Sequence, residues 1–291
     1  MTRQAALMKT VRQRMASGDV ELPVFDGAAI ELHREAHDNR MDAQVICRLL
    51  ERDATLVSEV LRMSNSSFFG GLQEVRTLRD ACVRLGVRQV AAIVFSISQK
   101  RLYSSSSGPF RSRFEALWQH ASRVSIGARW LAERSGHRPQ SDEAFIAGLL
   151  HDIGKLSSLR AIEQIVRETG RAGDPAVNEA VDDAWIDSAL AQLSMEQGVR
   201  LLQHWNMPSL YIDIATRVDD EPEAGDPAVL AMVRLADRVV SMVGSGEPVS
   251  PSGWQGLPDA VSLGLDGDTV SELLLLLDGP DDSIDGARRA A

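Results

Sequence analysis

Cysteine is scarce in this chain: Cys47 and Cys82 are the only two in 291 residues. Both stand in apolar periodic segments, which fits two small buried thiols in a reducing compartment better than a disulfide. Long hydrophobic runs are missing as well. A membrane-spanning helix needs about 20 apolar residues, whereas the longest pure leucine run covers only residues 273–277. Residues 1–19 are interrupted throughout by charged and polar side chains, so no secretory signal is expected, and the sequon Asn65-Ser66-Ser67 has no glycosylation context. The expected location is cytoplasmic. Excess positive charge is the third absence. With a net charge of −10 and a pI near 5.1, the chain would be repelled by a phosphate backbone or an anionic lipid surface. Neither nucleic acid nor a membrane is an expected partner. Convincing strand alternation and internal repeats are lacking too, which leaves an all-α fold, and the 44% apolar content is enough for a sizeable core.

Helical periodicity covers most of what is there. Ala5, Met8, Val11 and Met15 mark a first amphipathic helix, stopped by Ser17-Gly18-Asp19. Leu22-Pro23-Val24-Phe25 reads as an extended entry, and Asp26-Gly27 opens a second helix carrying Ile30, Leu32, His33 and His37. The two histidines are four apart and could share a metal. The zinc-protease motif, however, needs Glu directly after the first His, and Arg34 stands there, so both are expected at the surface. Asp42 and Asp53 cap the next two helices, with Val45, Ile46, Leu49 and Leu50 inward in one and Leu56, Val57, Val60, Leu61 and Met63 in the other. Thr77 caps a short helix containing Ala81, Val83 and Leu85; Gly86 closes it, and residues 87–98 form a nearly all-apolar buried helix. The Ser/Gly/Pro run over 103–109 reads as a flexible link.

Beyond the link, residues 110–133 predict one long helix with His120 near its middle. Ser141 caps the helix leading to His151, another helix covers 156–168, and residues 186–206 give one or two more. Residues 219–226 form an acidic loop, 227–243 a strongly apolar helix, and 269–277 a short leucine-rich one before an acidic tail. Trp118, Trp130, Trp185 and Trp205 stand at apolar helical positions and are expected in the core. Phe68 and Phe69 either plug the core or form a docking site. Arg76, Arg79, Arg84 and Arg88 either lie on a solvated face or accept an anionic ligand or an acidic helix.

The chemistry concentrates in Ala147-Gly148-Leu149-Leu150-His151-Asp152-Ile153-Gly154-Lys155. An apolar run delivers adjacent His and Asp to a helix end. Neutral imidazole and carboxylate are good ligands for a divalent cation, and a buried unpaired carboxylate would cost several kcal/mol. Side chains of adjacent helical residues point about 100° apart, so the pair can face one ion only at a helix end or from its two sides. Gly154 can take positive φ, and is expected to end the helix there.

This stretch resembles the hallmark of the HD superfamily of metal-dependent phosphohydrolases. Further blocks resemble the HDOD domain, the HD-related output domain of bacterial signalling proteins. They are Leu22-Pro23, residues 49–56, residues 61–70 and Ala81-Cys82-Val83-Arg84-Leu85-Gly86-Val87, in the family's order. The resemblance implies an HDOD domain over 20–215, with an N-terminal helical lobe at 20–103 packed on an HD-like lobe from 110 to about 243. A partly disordered C-terminal extension follows at 244–291.

It also implies a regulatory protein acting through contacts with signalling proteins in trans. A phosphorylated small ligand and a homo-oligomer are further expected associations. In the HD pattern His120 and Asp237 complete His151 and Asp152 as metal ligands, for a single Mn, Fe, Ni, Zn or Mg ion. The related phosphodiesterase branch carries extra histidines for a second metal; here Ser194, Asp219 and Asp220 stand at those places, so a two-metal clamp is not expected. Three readings of the four residues stay open: a metal-free polar cluster, a bound ion without turnover, and a single-metal phosphohydrolase acting on a nucleotide or cyclic dinucleotide. In the last, Lys155 would be catalytic by neutralising phosphate charge; otherwise it is a cation at a helix C-terminus.

Overall fold

A computed structural model of the chain describes residues 2–37, 42–50, 53–65, 74–105, 108–171, 181–245 and 256–278. Among these residues the fold is all-α, as the pattern predicts. The helices are α1 (Arg3–Ser17), α2 (Gly27–His37), α3 (Ala43–Leu50), α4 (Ala54–Ser64), α5 (Leu78–Leu85), α6 (Val87–Leu102), α7 (Gly108–Arg134), α8 (Ser141–Leu150), α9 (Ile153–Arg171), α10 (Asp183–His204), α11 (Ser209–Arg217), α12 (Ala228–Ser245), α13 (Pro258–Ser262) and α14 (Gly267–Asp278). None of them is singly long and apolar enough to cross a membrane. They form two compact units, both discontinuous in sequence: Met1–Val24, Leu102–Trp118 and Leu150–Arg217 make the first, and Phe25–Arg101, Gln119–Leu149 and Val218–Ala291 the second.

The first unit is built around α9 and α10, with α1, α11 and the opening turns of α7. Its buried stripe on α1 is Leu7, Val11 and Met15, an i, i+4, i+8 row, so Leu7 takes the inward place expected of Met8, and Ala5 is exposed. Gly18 ends that helix in the left-handed region, at φ 79°. Two buried indole N–H groups are individually satisfied: Trp205 Nε1 donates to the Pro23 carbonyl at 3.0 Å and Trp185 Nε1 to that of Gln4 at 3.2 Å. Arg113 forks onto Asp183 and Asp187 at 2.7 and 2.6 Å. The Arg160 guanidinium lies 4.3 Å over the Phe114 ring.

The second unit is built around α6, whose residues 89–99 are all buried. Phe95 from this helix meets Phe25 at a ring separation of 4.7 Å and His33 at 5.4 Å. His33 is therefore a core residue, not a surface one, while the His37 side chain falls outside the described residues. Thr77 caps α5 in a reciprocal box with Asp80. The inward row of α5 is Leu78, Ala81 and Cys82, while Val83 is 82% exposed. Both cysteines are free; Cys82 is buried, which with the neighbouring Cys47 pushes its thiol up to about 11, and Cys47 is half-buried. Trp118, Trp185 and Trp205 are buried as expected, whereas Trp130 is half-buried beneath the Arg134 guanidinium. Phe68 and Phe69 lie outside the described residues.

Asn65 at the end of α4 pairs with the backbone of Val75 in both directions, accepting from its N–H at 2.7 Å and donating to its carbonyl at 2.8 Å. Removing both bonds leaves two partly buried backbone groups unpaired. Asn65→Ala is expected to lower stability by about 1–3 kcal/mol in urea unfolding, with an unchanged denaturant slope.

Candidate functional site

Helix α8 ends at Leu150 and α9 begins at Ile153, so His151 and Asp152 form the two-residue turn between them. Gly154 does not end a helix. It is the second residue of α9, and the glycine is needed there for packing: a Cβ would lie 2.7 Å from the Ser194 carbonyl carbon and 2.9 Å from the Gly198 nitrogen, both on α10. Gly148, three residues before His151, does the same for α8. A Cβ on it would sit 2.6 Å from Ser125 Cα on α7. Two glycines thus flank the His-Asp turn because the backbones they meet are closer than any side chain permits.

In the first unit His151 is buried, with Nε2 3.5 Å from Asp152 Oδ2. The same carboxylate oxygen accepts from Lys155 Nζ at 2.6 Å, and the Lys155 N–H donates to the Asp152 carbonyl at 2.9 Å. Lys155 therefore stands in the first turn of α9, at its N-terminal end, and its ammonium group lies on Asp152.

In the second unit α7 and α12 approach closely where Gly127 meets Ala236; a Cβ on the glycine would be 3.1 Å from that of the alanine. This approach brings His120 Nε2 to 2.9 Å from Asp237 Oδ1, both side chains 24% exposed. Asp237 opens on a cavity of about 390 Å³, whose wall also carries Asp219, Asp220, Glu221, Arg234 and Arg238. Arg234 does not make that wall basic, because Asp226 and Asp259 hold its guanidinium at 3.1 and 3.0 Å. The cavity is acidic on balance. Ser194 is committed to its own helix, donating from Oγ to the Leu190 carbonyl at 2.6 Å.

The donor types fit a divalent ion. With bonds of about 2.1 Å, neighbouring nitrogen and oxygen ligands of one ion stand roughly 3.0–3.4 Å apart, and the separations within the two pairs, 2.9 and 3.5 Å, are close to that range. Three features lay outside the reach of sequence reasoning: the Lys155 ammonium on Asp152, the buried Arg234 triad, and a hydrogen bond from Gln99 to the end of α8. Only the last left a trace, a polar residue inside an apolar run.

The profile of the HDOD domain matches residues 22–221. A 195-residue segment is 24% identical to an uncharacterized protein of Treponema pallidum, covering 66% of this chain and 36% of that one, so the chain spans about a third of the curated relative's length. Among solved structures, an HDOD domain protein of unknown function from Geobacter sulfurreducens superposes with a TM-score of 0.71 at 22% identity, over 94% of this chain and 98% of that one. A candidate metal-dependent phosphohydrolase from Shewanella amazonensis gives 0.66 at 18% identity over 94% and 100%. A candidate signal transduction protein from Marinobacter aquaeolei gives 0.63 at 21% identity, over 94% and 62%. At these identities the likeness is one of fold.

Proposed function

Because the chain belongs to the HDOD family, we propose that it is a bacterial cytoplasmic regulatory module that passes a signal through contacts with other signalling proteins, with an HD cluster that does not turn over substrate. The observation that carries this reading is the Lys155 ammonium 2.6 Å from Asp152. A carboxylate already neutralised by its own chain is a poor open ligand. Ser194, bonded within its helix, and the exposed Asp219 and Asp220 add nothing that would grip a phosphodiester, and the two acids repel one.

A second reading is favoured by the His120–Asp237 pair. We propose that His120, His151, Asp152 and Asp237 are the four ligands of a single divalent ion, as the HD pattern implies, since two imidazoles and two carboxylates are a donor set that suits one. Such an ion would polarise a phosphoryl oxygen. The chain's own contribution would be orientation of the substrate and, if Lys155 leaves Asp152, a cation for developing phosphate charge. That is the phosphohydrolase alternative, with a nucleotide or cyclic dinucleotide as substrate.

Metal content by plasma mass spectrometry, on protein purified without chelator, separates the two. Near-stoichiometric metal in wild type, lost in Asp152→Ala, together with hydrolysis of a phosphodiester, would overturn the non-catalytic reading. Metal without hydrolysis, or no metal in a folded protein, is the expected result. A rise in melting temperature with cyclic dinucleotide but no turnover would identify a receptor for a phosphorylated ligand.

A further inference from the structure

Helix α6 is apolar except for a few polar side chains, of which Gln89, Ser96, Ser98 and Gln99 are all buried. Burying a primary amide in an otherwise hydrophobic helix is costly unless the amide is used. Gln99 is used. It is fully buried, and its Nε2 donates to the Leu149 carbonyl at 2.6 Å. Leu149 belongs to the last turn of α8, where carbonyl groups have run out of intrahelical donors. A buried carbonyl in that position must find a donor elsewhere or weaken the helix end. The bond is long-range, joining residues fifty positions apart in sequence, and it falls two residues before His151.

We propose that Gln99 is a positioning residue for the His151–Asp152 turn. It substitutes for the missing intrahelical donor, fixes the point at which α8 stops, and so sets the direction in which the next two side chains leave the backbone. Gly148 holds the same turn of α8 against α7 at the Ser125 backbone, leaving no room for it to shift towards α7. Steric contact and one directed hydrogen bond together define the helix end. The inference rests on the reading that His151 and Asp152 belong to the HD cluster, but Gln99 itself touches no ligand.

The test uses the full chain with three variants: Gln99→Met, which keeps length and loses the donor, Gln99→Leu as a second form should the first fail to fold, and Ser98→Ala. Ser98 is the control, a buried polar neighbour on α6 whose Oγ has no hydrogen-bond partner among the described residues. Cobalt(II) is titrated and followed by its visible absorption bands. The expected result is affinity at least tenfold weaker in Gln99→Met, with displaced bands, and a wild-type spectrum in Ser98→Ala. Wild-type affinity and bands in Gln99→Met would overturn the proposal even if its melting temperature fell, because a merely structural role lowers stability without altering the ligand field. If wild type binds no cobalt, the metal reading fails and hydrogen exchange decides on Gln99. Exchange at amides 151–155 at least tenfold faster in Gln99→Met, with α10 unchanged, supports it; equal exchange in the two proteins overturns it.

Discussion

Gly154→Ala is expected to destabilise the protein by about 3 kcal/mol or more, at or beyond the upper end of the usual range for overpacking. A methyl group there is directed at the Ser194 carbonyl and the Gly198 nitrogen. These are backbone atoms in the middle of α10, so no side chain can rotate away and the whole helix must move. The obstacle is steric, since the residue is helical and alanine has the better helix propensity. Gly27 gives the contrast: it opens α2 with nothing within 4 Å of the place a Cβ would take, so Gly27→Ala is expected to be neutral or stabilising by up to about 1 kcal/mol. Urea unfolding of the two variants measures both. Near-equal midpoints would show that α10 can yield, and would remove the packing argument for Gly154. Displacing α10 also disturbs the first turn of α9, so the spacing between Lys155 and Asp152 should change with it.

Gly154 also shows how far the sequence could be read. Glycine serves two ends, a left-handed backbone and a close approach, and a sequence does not say which. Next to a His-Asp pair at a helix end, the first use was the natural expectation, while the second depends on α10, some forty residues away in sequence. The helices themselves were legible because their caps are local: Asp53, Thr77 and Gly18 end or start helices as their chemistry dictates. Inward faces were less so. Apolarity alone does not set the inward face of α5: Val83 is exposed, and the i, i+3, i+4 row of Leu78, Ala81 and Cys82 is what packs. His33 reads as a surface residue because it is polar, but next to the buried Leu32 its ring meets that of Phe95 at a tilt. For the site, the residue types could be read from the sequence, whereas their partners could not. The His120–Asp237 approach depends on a glycine–alanine crossing of helices far apart in the chain, and the Lys155–Asp152 bond on where α9 happens to begin.

The largest electrostatic effect is expected at Arg234. This arginine is 4% exposed, and its Nη1 is shared by Asp226, from the loop before α12, and Asp259, on α13. One guanidinium thus ties two segments to the helix that carries Asp237. Arg234→Met fills a similar volume but leaves two carboxylates, each 8% exposed, without it. Breaking a buried pair in this way costs about 3–5 kcal/mol, mostly from the charge left behind. Burial already holds the Asp259 carboxyl above its ordinary value, with the Arg234 guanidinium opposing the rise. A carboxyl whose folded-state pKa exceeds its unfolded one stabilises the fold in its protonated form. That contribution is complete below the unfolded value and is lost as pH rises through the folded one. Removing the guanidinium raises the folded value further. The cost of Arg234→Met should therefore be full near neutral pH and shrink as pH falls towards the ordinary carboxylate range, while Asp259→Asn, which cannot ionise, should lose the pH dependence belonging to this group. Urea unfolding of wild type and both variants between about pH 4 and 7 measures this directly. A penalty for Arg234→Met that stays constant over that range would mean that Asp259 remains ionised in the folded protein, with its charge met by water or by another cation. The triad would then be a packing contact and not an electrostatic tie on α12.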